Sequence, residues 1–425
     1  MQSDSTLSET GPSAGRPLRI LMLAPEPFFE PRGTPFSEYH RIKALTELGH
    51  SVDLVTYPFG ADVTLPNLRI IRTGKPPFAT RVSIGPSFTK LVLDVLLSVS
   101  AWRQAAREQY DFVHSHEEAG VVGVWLAKRL GVPHVYDMHS SLPQQLTNFR
   151  FARSRILRWM FEKIEDASVF GSAVVVTICK DLQDHVTSMG AGERSVLIEN
   201  VMGGDVEEPP SMTADDVRRM WRLSAEARVV LYTGTFEPYQ GLEMLLEAAG
   251  LMAASHPDVR FLIVGGRPEQ VDSARLYAQK AGANAVFTGY QPAREIPAFV
   301  DAADVLASPR IAGTNTPLKI YSYLRSGKPI VATDLLTHTQ VLDHETSLLV
   351  PPDARAFAGA LTKLLAEPAL RERLSKAARE RAGTRYAREV YVARTKHVCD
   401  RLFAGRASTV VAAPPQVSPE ALRRR

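Results

Sequence analysis

Arg310 and Lys319 stand nine residues apart in Ser308–Asp334, SPRIAGTNTPLKIYSYLRSGKPIVATD, and their setting is built to hold an anion. Val305–Pro309 reads as a short buried strand, and Arg310–Thr316 as a polar Gly/Thr/Asn-rich loop. Pro317 falls where a first helical turn tolerates proline, because the missing N–H would be unpaired there anyway. A short helix then closes at Gly327, and KPIVATD reads as another buried strand. A loop that enters a helix N-terminus presents free N–H groups and the positive end of the helix dipole. A lysine on that first turn opposes the dipole unless an anion sits nearby. Such local inconsistencies gather at functional sites. Arg310, Lys319 and the backbone from Thr314 through Asn315, Thr316, Pro317 and Leu318 are therefore the first candidate site.

Two histidines form the second candidate site. His116 ends the predicted strand DFVHSH, and His139 ends HVYDMHS beside Asp137, Ser140 and Ser141. A histidine at the carboxyl end of a strand is either a hydrogen-bonding cap or a group aimed at a ligand, and the polar neighbours of His139 favour the ligand. Gly33 opens the first predicted helix, where the lack of a side chain allows close approach to a phosphate. Gly234, Thr235 and Glu237 lie in the turn TGTFEPYQG; Glu237 can bond a sugar hydroxyl or cap the turn. Tyr290 and Gln291 follow another strand end. No HxxH, DxD or carboxylate cluster has metal spacing, so neither a metal nor another cofactor is expected.

The elements that must position these groups alternate strand and helix twice. Residues 1–17 read as a disordered tail, residues 18–202 as one Rossmann-like domain and residues 203–385 as another. A helix over 386–406 is expected to pack back on the first domain, before a loose basic tail at 407–425. Residues 203–216, rich in Gly, Pro and acid, read as the linker. Continuous apolar strands between helices predict parallel sheets covered on both faces. The expected fold class is α/β, with two doubly wound domains facing across a cleft. Ligands in such sheets sit beyond the carboxyl ends of the strands.

Bulk properties fit that picture. The 425 residues suffice for two domains, with 45% hydrophobic and 23% charged residues. A net charge of +4 suits an anionic ligand or membrane surface, but is too diffuse to argue for nucleic acid. Cys179 and Cys399 have no CxxC partner, which points to a reducing compartment. The first seventeen residues have no apolar core of a signal peptide, and no apolar run is long enough to span a membrane. A cytoplasmic protein is expected. Pro86–Arg107 and Phe149–Glu165 mix apolar and basic residues, so a peripheral position on an anionic inner membrane face is a second expectation, against the plainer reading of core-facing helices.

The order of motifs resembles the retaining, nucleotide-sugar-dependent glycosyltransferases of family four, which have the two-domain GT-B fold. The resemblance spans most of residues 18–403. It rests on GTPFSEYHRIKALTELGHSVDLVT, FVHSH, YDMHSS, VVVTICKDLQDHV with VLIEN, LYTGTFEPYQGLEMLLEAA, FLIVGG, FTGYQPAREIPAFVDAADVLASP and SGKPIVAT. It implies a nucleotide-diphosphate sugar as donor, a glycan, lipid-linked or small-molecule acceptor, and transfer through an oxocarbenium-like state with retention. It implies His139 at the reacting centre, His116 on the acceptor side, and the nucleotide base near Tyr290 and Gln291. The departures are specific. Where the family carries Arg and Lys for the diphosphate, this chain has Thr235 and Gln240; where it carries two glutamates, this chain has Thr314 and Ser322. The expectation is that Arg310 and Lys319 supply the missing charge. A non-catalytic nucleotide- or glycan-binding scaffold and a sugar-nucleotide epimerase of the same build are the alternatives.

Overall fold

The computed structural model describes residues 16–29, 33–80, 82, 87–143, 155–200, 209–313 and 315–404. Two wholly parallel sheets organise them. The first has seven strands in the order β3-β2-β1-β4-β5-β6-β7: β1 Arg19–Ala24, β2 Ser51–Thr56, β3 Leu68–Arg72, β4 Phe112–His116, β5 His134–Met138, β6 Val174–Thr177 and β7 Ser195–Leu197. The second has six in the order β10-β9-β8-β11-β12-β13: β8 Arg228–Thr233, β9 Val259–Val264, β10 Ala285–Gly289, β11 Val305–Ser308, β12 Ile330–Thr333 and β13 Leu348–Val350. In each sheet the order reverses between its first strand and the fourth, β1 beside β4 and β8 beside β11. That reversal opens the crevice in which doubly wound sheets bind ligands.

The central strands are buried along their length because helices cover both faces. Ile20, Met22, Val52, Leu54, Phe112 and Val135 meet the core on one side of the first sheet, and Leu21, Leu23, Val55 and Val113 on the other. The two faces of the second sheet divide in the same way, with Val229 and Leu231 opposite Val230 and Tyr232. Edge strand β3 escaped the sequence reading because its residues are only half-buried and form no continuous apolar run.

Two details correct the expected boundaries. The linker reading to residue 216 runs too far, since a helix covers Ala214–Met220. Thr213 Oγ1 accepts from Asp216 N at 3.2 Å while an Asp216 carboxylate oxygen accepts from Thr213 N at 2.9 Å, a reciprocal N-terminal cap. The helix after the anion loop begins at Lys319, with Leu318 as its cap residue, and ends on Gly327 at φ 64°. The last helix, Arg388–Phe403, inserts Tyr391, Val398, Cys399 and Leu402 into the first domain's core. The chain thus returns to the domain in which it began.

Candidate functional site

Both crevices point toward each other, and the side chains at their strand ends make the site. On the second-domain side, β8 ends at Thr233 and runs into Gly234, at φ 146°. Across from it, a Cβ on Gly265 would lie 1.9 Å from the Gly234 carbonyl, so these turns approach as only glycine allows. Lys319 enters this space from its helix. Its Nζ donates to the Thr233 carbonyl at 3.0 Å and lies 4.1 Å from the Tyr232 ring centroid. Burial, reinforced by nearby Arg310, lowers the Lys319 ammonium from 10.5 to about 7. Arg310 follows β11. Its Nε and one Nη donate to the carbonyls of Ala312 (2.8 Å) and Asn315 (3.0 Å), and its guanidinium lies 5.0 Å from the Tyr239 centroid. The arginine therefore clamps its own loop as well as adding charge to the crevice.

His338 completes this wall and carried no motif in the sequence. It is fully buried between two strand ends, with Nε2 2.8 Å from Ser308 Oγ and Nδ1 2.8 Å from the Thr333 carbonyl. Burial depresses it to about 3, so it is a neutral pin between β11 and β12. Asn315 reaches across the cleft, its Nδ2 donating to the His139 carbonyl at 2.9 Å. Its own carbonyl accepts from Thr337 as well as Arg310. Thr316, Pro317 and Leu318 lead from it into the Lys319 helix, and Ser322 is half-buried one turn further on. Thr314 lies outside the described residues.

The first-domain wall is a network of ionisable groups. Asp137, near the end of β5, accepts from Arg41 Nε at 2.9 Å and lies 3.2 Å from His114 Nε2 and 3.3 Å from His139 Nε2. Burial alone would raise its carboxyl, but Arg41 and His139 outweigh that and hold it well below the carboxylate range. His116 Nδ1 is 3.2 Å from His139 Nε2, and its ring stacks on His114. Burial keeps His116 and His114 neutral at neutral pH. For His139, Asp137 overcomes burial and raises the pKa. His114, His116 and Asp137 bring three potential ligand atoms within 4.8 Å of one another. The Arg41 guanidinium already meets the carboxylate's charge, so this trio is a poor fit for a divalent ion.

Sequence reasoning missed the acids of this wall. Glu26 lies just past β1, and fully buried Glu38 comes from the Gly33–Glu47 helix. Burial raises Glu26 well above the usual range, with Glu38 adding to the rise, and lifts Glu38 to about 8. Glu117 follows β4 with φ 47°, a rare backbone for a side chain other than glycine, and accepts from Ser140 Oγ at 2.9 Å. Burial raises it to about 7. The available signal was an acid set between prolines directly after a buried strand, at Pro25–Pro27.

The remaining candidates lie further out. Gly33 opens its helix beside residues outside the described set. Glu237 is bonded within its own domain, accepting from Arg267 and Gln270 at 3.4 and 3.3 Å. Thr235 offers its carbonyl to Tyr232 Oη at 2.7 Å. Tyr290 is 68% exposed beyond edge strand β10, and Gln291 Nε2 donates to the Thr288 carbonyl at 3.2 Å.

Sugar transferases are among the known proteins that this chain resembles. A model of the group 1 glycosyl transferases matches residues 214–381, and a glycosyl transferase 4-like domain matches residues 39–200. The phosphatidyl-myo-inositol mannosyltransferase of Mycobacterium leprae is 27% identical, over 84% of this chain and 90% of its own length. Among solved structures, sucrose-phosphate synthase from Thermosynechococcus elongatus superposes with a TM-score of 0.72 at 22% identity, covering 91% of this chain and 100% of the other. An Anabaena protein solved with UDP-glucose gives 0.69 at 17% identity, covering 91% and 100%.

Proposed function

We propose, from the premise that this chain belongs to the group 1 glycosyltransferases, that Arg310 and Lys319 hold the diphosphate of its nucleotide-sugar donor while His139 faces the reacting sugar. The observation that carries this reading is the convergence of Lys319 on the end of β8 and of Arg310 on the end of β11, across the cleft from His139. Two cations in a partly desolvated crevice stabilise the charge that grows on a departing diphosphate, and preorganised charge of this kind is commonly the largest catalytic term. An ammonium poised near neutrality gains its full charge when the anion arrives. Gly33, Gly234 and the backbone N–H groups of Asn315, Thr316 and Leu318 add close amide contacts, while Thr235, Glu237 and Ser322 line the sugar and ribose and Tyr290 and Gln291 border the base. Transfer proceeds with retention, as the oxocarbenium-like state collapses on the face the diphosphate leaves. No metal takes part.

The acceptor is a hydroxyl-bearing glycan or lipid-linked molecule received by the first domain, with His116 on its side of the cleft. A lipid-linked acceptor agrees with the exposed surface of that domain. Phe88, Leu91, Val95, Val99 and Trp102 form one exposed stripe on the Phe88–Ala105 helix. The neighbouring Gly120–Leu130 and Arg155–Gly171 helices add exposed Trp125, Ile156 and Trp159. Exposed Arg103, Arg107, Arg155 and Arg158 accompany them. Aromatic and aliphatic groups with arginines fit an anionic bilayer surface. No described helix is long and apolar enough to cross a membrane. The matching family models and the mannosyltransferase relative are transferases, so neither the scaffold nor the epimerase reading is favoured.

Thermal denaturation with nucleoside diphosphates and nucleotide sugars tests the donor site. A native-state ligand at one hundred times its dissociation constant adds about 2.7 kcal/mol and several degrees in Tm. A shift with nucleoside diphosphates that is lost in Lys319→Ala is expected. An unchanged Tm with every nucleotide contradicts the reading.

A further inference from the structure

Behind His139 the first-domain wall contains polar atoms that its fold leaves without partners. Both carboxylate oxygens of Glu38, Oε1 of Glu26 and Nε2 of His116 are buried with no hydrogen-bond partner. Glu38 and His116 are completely shielded from solvent, whereas Glu26 is half-buried at the cleft edge. Burying a carboxyl group without a partner is costly, and a fold sustains that cost where the group has work to do. These atoms also form a line. His139 Nε2 lies 3.2 Å from His116 Nδ1, and His116 Nε2 lies 3.9 Å from Glu38 Oε1, one small side-chain adjustment short of a hydrogen bond. Glu38 and Glu26 are neighbours, and the charge of Glu38 raises the carboxyl of Glu26.

We propose that Glu38 and Glu26 form a proton relay that carries the proton released by sugar transfer from His139, through His116, to the cleft edge. The proposal rests on the transferase reading above. Transfer forms a bond between the acceptor oxygen and the sugar carbon and breaks the bond from that carbon to the diphosphate. The hydroxyl hydrogen belongs to neither glycoside nor ionised diphosphate, so one proton must leave the cleft. His139 passes its Nε2 proton to Nδ1 of His116 and regains the released proton at its other nitrogen. His116 passes its Nε2 proton to Glu38, Glu38 passes its own to Glu26, and Glu26 gives one to water. Each group gains one proton and loses one, and the two imidazoles return to their starting tautomers by proton exchange with water before the next turnover. Like acids side by side retain a shared proton at neutral pH, as such a relay needs. The surrounding charges are Asp137 and Glu117 facing His139, Arg41 and His114 with Asp137 around His116, and Asp137 beyond Glu38. Glu38 touches no substrate; it is a positioning and relay residue.

Two measurements decide it. The first is kcat against pH from 6 to 9 for the wild type and Glu38→Gln, read as nucleoside diphosphate release. Glutamine keeps the shape but passes no proton, so kcat falls at least tenfold with donor KM within twofold. A kcat within twofold of wild type throughout overturns the relay. The second needs no turnover: side-chain nitrogen NMR of the histidines, in which His116 is protonated at Nε2 in the wild type and loses this fixed tautomer in Glu38→Leu. A His116 protonated at Nδ1, or a tautomer indifferent to Glu38→Leu, overturns the relay. A nucleotide-induced Tm shift preserved in both variants shows that they fold. A wild type inert toward every nucleotide sugar, with the expected tautomers, counts against the transferase reading and not against the relay geometry.

Discussion

Lys319 is the residue on which the proposed donor site turns, and its environment makes its charge conditional. Burial and Arg310 hold the free ammonium near pH 7, while a bound diphosphate pulls it back toward its ordinary 10.5. Between these values donor binding takes up a proton. Donor affinity is therefore level below about pH 7 and falls with rising pH above it, by up to tenfold per unit. Calorimetric titration of a nucleoside diphosphate at pH 6 and pH 9 reads this directly. Lys319→Arg, always protonated, flattens the dependence; a wild-type affinity equal at both pH values contradicts it. This lysine stood out in the sequence because a cation on a first helical turn is locally wrong. Arg310 was legible as charge but not as the clamp on its own loop, since a hydrogen bond to the Asn315 carbonyl depends on a loop path that composition does not specify. Glu26 and Glu38 were hidden for a related reason. An acid in a helix usually faces water, and only tertiary burial turns Glu38 inward.

At the scale of elements, the site depends on how tightly loops pass one another. Gly241 caps the Leu242–Ala253 helix at φ 70°, and a Cβ there would lie 1.9 Å from the Pro309 carbonyl, one residue before Arg310. Gly241→Ala is expected to cost about 1–3 kcal/mol of stability from the left-handed backbone and the clash. It also displaces the Arg310 loop, so donor affinity falls with Tm. Chemical denaturation with nucleotide titration measures both, and an unchanged Tm contradicts the packing argument. The alternation of strands and helices was readable throughout because parallel strands buried on both faces are continuous apolar runs. Half-buried β3 has no such run, and the Ala214–Met220 helix starts inside a stretch whose Gly, Pro and acids read as linker. Its cap residues, Thr213 and Asp216, held the corrective signal.

Across the whole molecule, hydrogen bonds and the returning chain hold the two crevices against each other. Asn315 reaches the His139 carbonyl, and Gln340 Oε1 accepts from Asp181 N at 2.9 Å. The final helix returns to the first domain and meets Arg41 through Thr395 Oγ1 (3.2 Å) and the Tyr391 ring, so the partner of Asp137 is itself held from the far end of the chain. The exposed helical stripe of the same domain is expected to bring it to anionic vesicles. Co-sedimentation with phosphatidylglycerol vesicles, weakened by salt and by Leu91→Glu with Trp102→Glu, is the predicted result. Protein that stays in the supernatant, or that instead dimerises through this face without lipid, contradicts it. Two amphipathic segments were visible in the sequence, but that both helices flank Gly120–Leu130 is a property of the fold. The central claim is that Arg310 and Lys319 replace the usual diphosphate cations of a working transferase. Its most direct test is sugar transfer from nucleotide sugars by the wild type and Lys319→Ala, with the product anomer read by proton NMR. Turnover with the donor's configuration retained, reduced about 10²–10³-fold by the substitution, is predicted; turnover indifferent to Lys319, or an inverted product, would contradict it.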